Sequence, residues 1–207
     1  AAGAPWFILP IDLVGYAKLT TTNVSTAGAK TITMTPIAAT AAKVDRYPNG
    51  EGLRMFVASY AAMGANAPTM QVTYTNSAGT TGRTTTAGIV STASATSGVL
   101  LNSGNAANKV GPFLNLAAGD TGVKDIESLT WGGTAHASGS VFVGLCKPLC
   151  MPIPVPATGL FNLVDFVNTL PSMPRLRNGA NVQFLIFATG ATTSGATLYT
   201  TFDYGWN

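Results

Sequence analysis

The run Met70-Gln71-Val72-Thr73-Tyr74-Thr75 alternates apolar and polar residues at every step, and a period of two marks a strand with one buried face. Successive side chains of an extended chain point to opposite sides, so Met70, Val72 and Tyr74 share the face that can enter a core. Asn76-Ser77-Ala78-Gly79 supplies turn chemistry directly afterwards, and Gly82-Arg83-Thr84-Thr85-Thr86 resumes an extended run. Lys30-Thr31-Ile32-Thr33-Met34-Thr35 repeats the alternation, and residues 52–60, 141–147 and 181–188 read as further strands. Residues 198–204 are expected to pair with 181–188 as a final hairpin across a loop rich in Gly, Ala and Thr. Residues 123–131 form a weaker strand: alternation puts Ile126, Ser128 and Thr130 on one side and Glu127, Leu129 and Trp131 on the other.

Pro148, Pro152, Pro154 and Pro156 exclude both a helix and a central strand from the segment they occupy. Leu160, Leu163, Val164 and Val167 recur at helical spacing and Pro171 would end the run, so residues 160–170 are the one helical candidate. Many short strands divided by Gly, Pro and Asn turns predict an all-β fold: an antiparallel β-sandwich, jelly-roll-like, with at most one short helix. No linker divides the chain. It reads as a single domain over 1–207, with an extended N-terminal segment over about 1–15 and a long low-complexity Ser, Ala and Gly loop over about 86–108.

Only 9% of the residues are charged, where roughly 25% is usual. That excludes a coiled coil and suits surfaces that end against other subunits, because burying Thr and Ala in an interface costs far less than burying charge. The net charge of +3 comes without any block of Lys and Arg; the nearest basic groups are Arg175 with Arg177 and Lys43 with Arg46. Nucleic-acid binding needs clustered cations and is not expected. No apolar run reaches the roughly 18 residues of a spanning helix, so no membrane partner is expected. Ala1-Ala2-Gly3-Ala4-Pro5 lacks the basic and long apolar regions of a signal peptide, which points to synthesis in a cytoplasm.

Chemical signatures are sparse. Cys146 and Cys150 are too far apart along a strand for a disulfide unless Pro148 bends the chain, and a zinc site would need two more ligands, so free thiols and no metal are expected. His136 is the only histidine and lies in a Gly- and Ser-rich stretch that reads as an exposed hairpin tip, without the positioned neighbours of a triad. Asp120, Asp125 and Glu127 are close in sequence, but Lys124 lies among them and no second acidic motif answers. Gly79-Thr80-Thr81-Gly82-Arg83 lacks the Lys-Ser/Thr ending and following helix of a phosphate loop. The expectation is a non-enzymatic protein with no catalytic residue and no cofactor.

The stretch from Val72 through Thr84, following Gly52-Leu53-Arg54-Met55-Phe56, resembles virion structural proteins of tailed bacteriophages. Lys147-Pro148-Leu149, Leu170-Pro171-Ser172-Met173-Pro174-Arg175 and Asn178-Gly179-Ala180 are similar to the same group, and the likeness spans most of residues 50–204. The resemblance implies a capsid decoration or cement protein on the virion surface, assembled in the host cytoplasm, with itself as a homotrimer and the major capsid protein as partners. It carries over no catalytic residue. Extended arms can add a strand to a neighbour's sheet, and two segments fit: residues 1–10, where Pro5 and Pro10 bracket Trp6, Phe7, Ile8 and Leu9, and residues 150–156, with Pro152 and Pro154. Three other roles stand beside this one. They are a phage tail, baseplate or fibre component, a single jelly-roll major capsid protein, and a carbohydrate-binding β-sandwich module that stacks sugars on Trp6, Trp131 and Trp206.

Overall fold

The computed structural model describes residues 6–36, 46–86, 89–90, 100–101, 112–155 and 176–188. The described strands are β1 (Trp6–Leu19), β2 (Gly28–Thr31), β3 (Thr35–Pro36), β4 (Arg54–Ala61), β5 (Thr69–Asn76), β6 (Arg83–Thr84), β7 (Ile89–Val90), β8 (Val123–Gly132), β9 (Ser140–Pro148), β10 (Ile153–Val155) and β11 (Val182–Ala188). A single helical turn, Thr21–Val24, follows β1 and buries Val24. No helix among the described residues is long and apolar enough to cross a membrane.

The strands form two antiparallel sheets. One runs β10-β1-β9-β4, with β11 and β3 also pairing β1; the other runs β2-β8-β5-β6, with β7 also pairing β5. Pairs nest from the outside inward: β1 with β9, β2 with β8, and β5 with β6. With the Ala58–Leu100 bridge on β4 counted between the last two, successive pairs alternate between the two sheets, as in a long hairpin rolled into a jelly-roll-like sandwich. An isolated bridge from Leu100 to Ala58 lies on β4 at the place where a further strand would extend the first sheet.

The predicted alternation of β5 holds: Met70, Val72 and Tyr74 are all buried against the facing sheet. They join Val14, Met55, Val57, Leu129, Trp131, Val143 and Leu145 in the main core. For β8 the simple alternation fails. Thr73 pairs Ser128 but Tyr74 pairs Ile126, so Glu127 is an extra residue, and a second shift skips Lys124. Each bulge resets the parity of the strand. Ile126 therefore points the same way as Leu129 and Trp131, and all three enter the core together with Val123.

The first sheet is apolar on both faces. Leu9, Ile11, Leu13, Phe56, Cys146 and Leu185 form a second core, with Phe113, Phe142 and Phe187 packed on it. A bulge between Leu13 and Gly15 lets β1 serve both cores: Leu13 belongs to one and Val14 to the other. Strands buried on both faces read as near-continuous apolar runs, which is why Trp6-Phe7-Ile8-Leu9 shows no alternation.

This placement corrects the expected N-terminal arm. Trp6–Leu19 is an interior strand of the chain's own sheet. It pairs with β11 along one edge, from Trp6 opposite Ala188 to Asp12 opposite Val182, and with β10 and then β9 along the other. Pro10 is tolerated because its position faces the gap between β9 and β10, where its carbonyl accepts from Leu149 N and no ladder donor is required. Pro154 is likewise turned to the chain's own use, paired opposite Phe7, and Pro152 is exposed just before β10. The helical candidate 160–170, the strand 198–204 and most of the loop over 86–108 lie outside the described residues.

Replacing Leu9, which is 2% exposed, by Ala is expected to cost about 2–5 kcal/mol of stability through lost burial and a residual cavity. Urea unfolding followed by tryptophan fluorescence measures it. Deleting residues 1–10 is expected to leave the chain unfolded; a deletion that folds and only loses self-association would restore the arm.

Candidate functional site

The most built polar arrangement starts from one misfit in the apolar strand. Asp12 lies on β1 and is fully buried. A carboxylate taken out of water needs charge and hydrogen bonds to replace its hydration. Arg46 supplies both, with Nε 3.1 Å from Oδ2 and Nη2 3.3 Å from Oδ1. The Tyr47 hydroxyl donates to Oδ2 at 2.9 Å, and the backbone N–H of Asn181 donates to Oδ1 at 2.9 Å. Asp12 thus ties together the loop that leads into β4 and the turn that leads into β11. Burial, and then the Asp12 carboxylate, push the Tyr47 phenol well above its ordinary range.

Two further cations lie near the Tyr47 ring. The Arg177 guanidinium lies 5.4 Å and Lys147 Nζ 5.9 Å from the ring centroid. Lys147 Nζ also donates to the Glu51 carbonyl at 3.3 Å. It can lie there because position 52 is glycine: the backbone has a φ of 70°, and the ammonium occupies the space a Cβ would take. Arg46, Tyr47, Glu51, Thr121, Lys147 and Arg177 line an open cleft of about 1130 Å³. Arg46 is 5% exposed, and its Nη1 is buried without a hydrogen-bond partner. Neither Lys147 nor Arg177 forms an ion pair among the described residues.

The acidic residues noted in sequence do not combine into a catalytic pair. Asp120 accepts from Tyr74 Oη at 2.6 Å, Arg83 Nε at 3.0 Å and Asn76 Nδ2 at 2.8 Å. Arg83 foremost, then Tyr74, hold its carboxyl down to about 2, while burial and the same contact push the Tyr74 phenol up to about 12. Glu127 is engaged separately, accepting from Thr75 Oγ1 at 2.8 Å and Gly82 N at 3.1 Å. Asp125 caps its own neighbour, Ile126 N, at 3.0 Å. Each carboxylate holds a turn or bulge at the end of the second sheet. Arg83 belongs to this network, and its Nη2 also donates to the Ala118 carbonyl at 3.3 Å.

His136 is fully buried, which corrects the expected exposed tip. Its ring meets Trp131 edge-on at a centroid distance of 5.4 Å. The stretch around it is held by Asn66 Nδ2 donating to Ala135 O at 2.8 Å and Gly64 N donating to Ser138 O at 3.1 Å. Desolvation lowers the histidine below its usual 6.5, against the pull of backbone contacts at Gly64 and Asn66. Trp131 is a core residue and offers no stacking face for a sugar. Cys146 and Cys150 are both free thiols, and burial raises both. No group of three metal-ligating side chains forms among the described residues.

The residues expected to reach a neighbour are brought together by the chain itself. Phe7 stacks on Phe187 at 5.5 Å, Ile8 and Leu9 are buried, and Pro154 pairs opposite Phe7. Sequence reasoning missed the Asp12, Arg46, Tyr47 and Lys147 constellation. One signal was present, since Asp12 is the only acidic residue in the fourteen residues of β1. No protein-family model, curated protein or solved structure matches this chain.

Asp12→Asn leaves Arg46 buried without a counter-charge and is expected to cost about 3–5 kcal/mol, read as a fall in the denaturation midpoint. His136 adds a pH dependence whose sign follows from its lowered pKa. Between its folded value and 6.5 the unfolded chain binds more protons, so stability is complete above about pH 6.5 and falls as the pH drops below it. Urea midpoints measured from pH 8 to pH 5 test this; a His136→Leu variant with the same slope would assign the effect elsewhere.

Proposed function

We propose that this chain is a non-enzymatic virion structural protein that binds and stabilises a bacteriophage capsid as a decoration or cement protein. The observation that carries the reading is the nested jelly-roll pairing of β1 with β9 and β2 with β8, an architecture recurrent in viral shell domains. A fold alone does not assign a role. Two further features support it: a chain with 9% charged residues, suited to lying against other subunits, and segments that resemble tailed-phage virion proteins. The partners in this reading are the major capsid protein and further copies of the chain, as a trimer on the capsid surface. Because β1 is interior, attachment falls to the outer surfaces and the cationic cleft.

A single jelly-roll major capsid protein is the second reading, favoured by the same wiring. The two differ in what the purified chain does alone. A decoration protein stays a small oligomer and adds to preformed shells, whereas a coat protein closes into shells by itself. Light scattering of the purified chain is expected to give a trimer with no shell-sized species. Negative-stain imaging with antibodies against the chain is expected to label the capsid surface of phage particles. Tail labelling, or a monomer that also fails to bind particles, would overturn the proposal.

A further inference from the structure

We infer that the cleft around Tyr47 is a carboxylate-recognition site, and that its occupant is a short segment of another protein carrying an acidic residue between apolar ones. This goes beyond the capsid reading and does not depend on which assembly the chain joins.

Arg177 and Lys147 both lie within 5.9 Å of the Tyr47 ring centroid, and neither has a carboxylate partner among the described residues. Both cations line the same cleft; like charges there repel, and an anion bound between them relieves the repulsion. In a chain with only 11 Lys and Arg, this grouping is a concentrated feature. Hydrogen bonding adds an independent observation. Arg46 is 5% exposed, its Nε and Nη2 are committed to Asp12, and its Nη1 is left without an acceptor. A buried guanidinium N–H without a partner is costly. Nη1 lies beneath the turn at Gly179, 3.7 Å from where a Cβ there would sit. Gly179 and the residues that precede it, Leu176 to Asn178, are exposed. Arg46 and Arg177 both line the cleft, so in this proposal an oxyanion bound there would also supply the missing acceptor for Nη1 once the turn at Gly179 gives way.

The surroundings choose the source of the oxyanion. Pro148, Leu149 and Leu176 border the cleft, and Leu176 is 42% exposed. They offer seats for apolar side chains on either side of an acidic one. Glu51 on the cleft wall offsets part of the cationic charge, which leaves the cleft suited to one anionic group rather than to the successive phosphates of a nucleic acid. Nucleic-acid binding also needs a track of cations along the backbone, and this cleft holds a single cluster.

The test uses the full chain and fluorescence anisotropy at low salt, with a labelled decapeptide of alternating Leu and Glu as probe. A matched peptide with Gln in place of Glu is the control, and a ten-residue oligothymidine is the rival. The acidic peptide is expected to bind at least roughly tenfold more tightly than the Gln peptide, and to lose about that factor in the Arg177→Gln variant and in 0.5 M salt. Arg177 is exposed, so its replacement leaves the fold intact, which an unchanged melting temperature checks; Lys147→Met is the second variant, and it is expected to reproduce the loss. Equal binding of the two peptides, no binding of either, or an affinity unchanged in both variants would overturn the assignment. Tighter binding of the oligothymidine, lost in the same variants, would overturn it in favour of a phosphate backbone.

Discussion

A fourteen-residue strand with neighbours on both edges and apolar contacts on both faces organises this molecule. β1 pairs β9 and β10 on one side and β11 and β3 on the other. Its side chains serve the main core through Val14, Ala17 and Leu19 and the second core through Leu9, Ile11 and Leu13. The other pairings of the first sheet are built outward from it. A strand in that position must satisfy its backbone in two directions at once, and the one residue unable to donate, Pro10, faces the gap where β9 gives way to β10.

The same strand creates the problem that the cationic cleft solves. Asp12, the one acidic residue of β1, is fully buried and cannot remain hydrated, so Arg46, Tyr47 and the backbone of Asn181 close around it. Removing either ion would strand the other, so the pair acts as a registry device as much as a stabiliser. It fixes the entrance to β4 and the entrance to β11 relative to one another. With Tyr47 pinned by its hydroxyl, its ring becomes the wall against which Lys147 and Arg177 collect. An internal structural necessity thus produces an external charged surface in a protein that otherwise carries few charges.

Carboxylates at the end of the second sheet show a parallel economy. Asp120 joins Tyr74, Asn76 and Arg83, and Glu127 holds Thr75 and the amide of Gly82. Both stabilise the connection between β5 and β6 and the bulged strand opposite it. Scarce charge is spent on turns and bulges, where regular ladder bonds end and polar groups need other partners.

Period and punctuation in the sequence were enough for the strands β4, β5, β9 and β11, for the turn at Asn76 to Gly79, and for the sandwich class. Each depends on local alternation or on residues that admit only certain backbone angles, and such information is carried within a few positions. Three matters were settled only in three dimensions. Bulges at Glu127 and Lys124 turned Ile126 to the same side as Leu129, because an inserted residue changes parity without changing composition. Burial of His136 against Trp131 depended on a loop more than sixty residues earlier, where Gly64 and Asn66 enclose it. The destination of Trp6 to Leu9 was ambiguous in principle, since an apolar run between prolines suits an arm laid on a neighbour as well as a strand buried on both faces. The tertiary structure decided it by providing β10 and β11, whose edges and apolar side chains lie roughly 145 to 180 residues away along the chain.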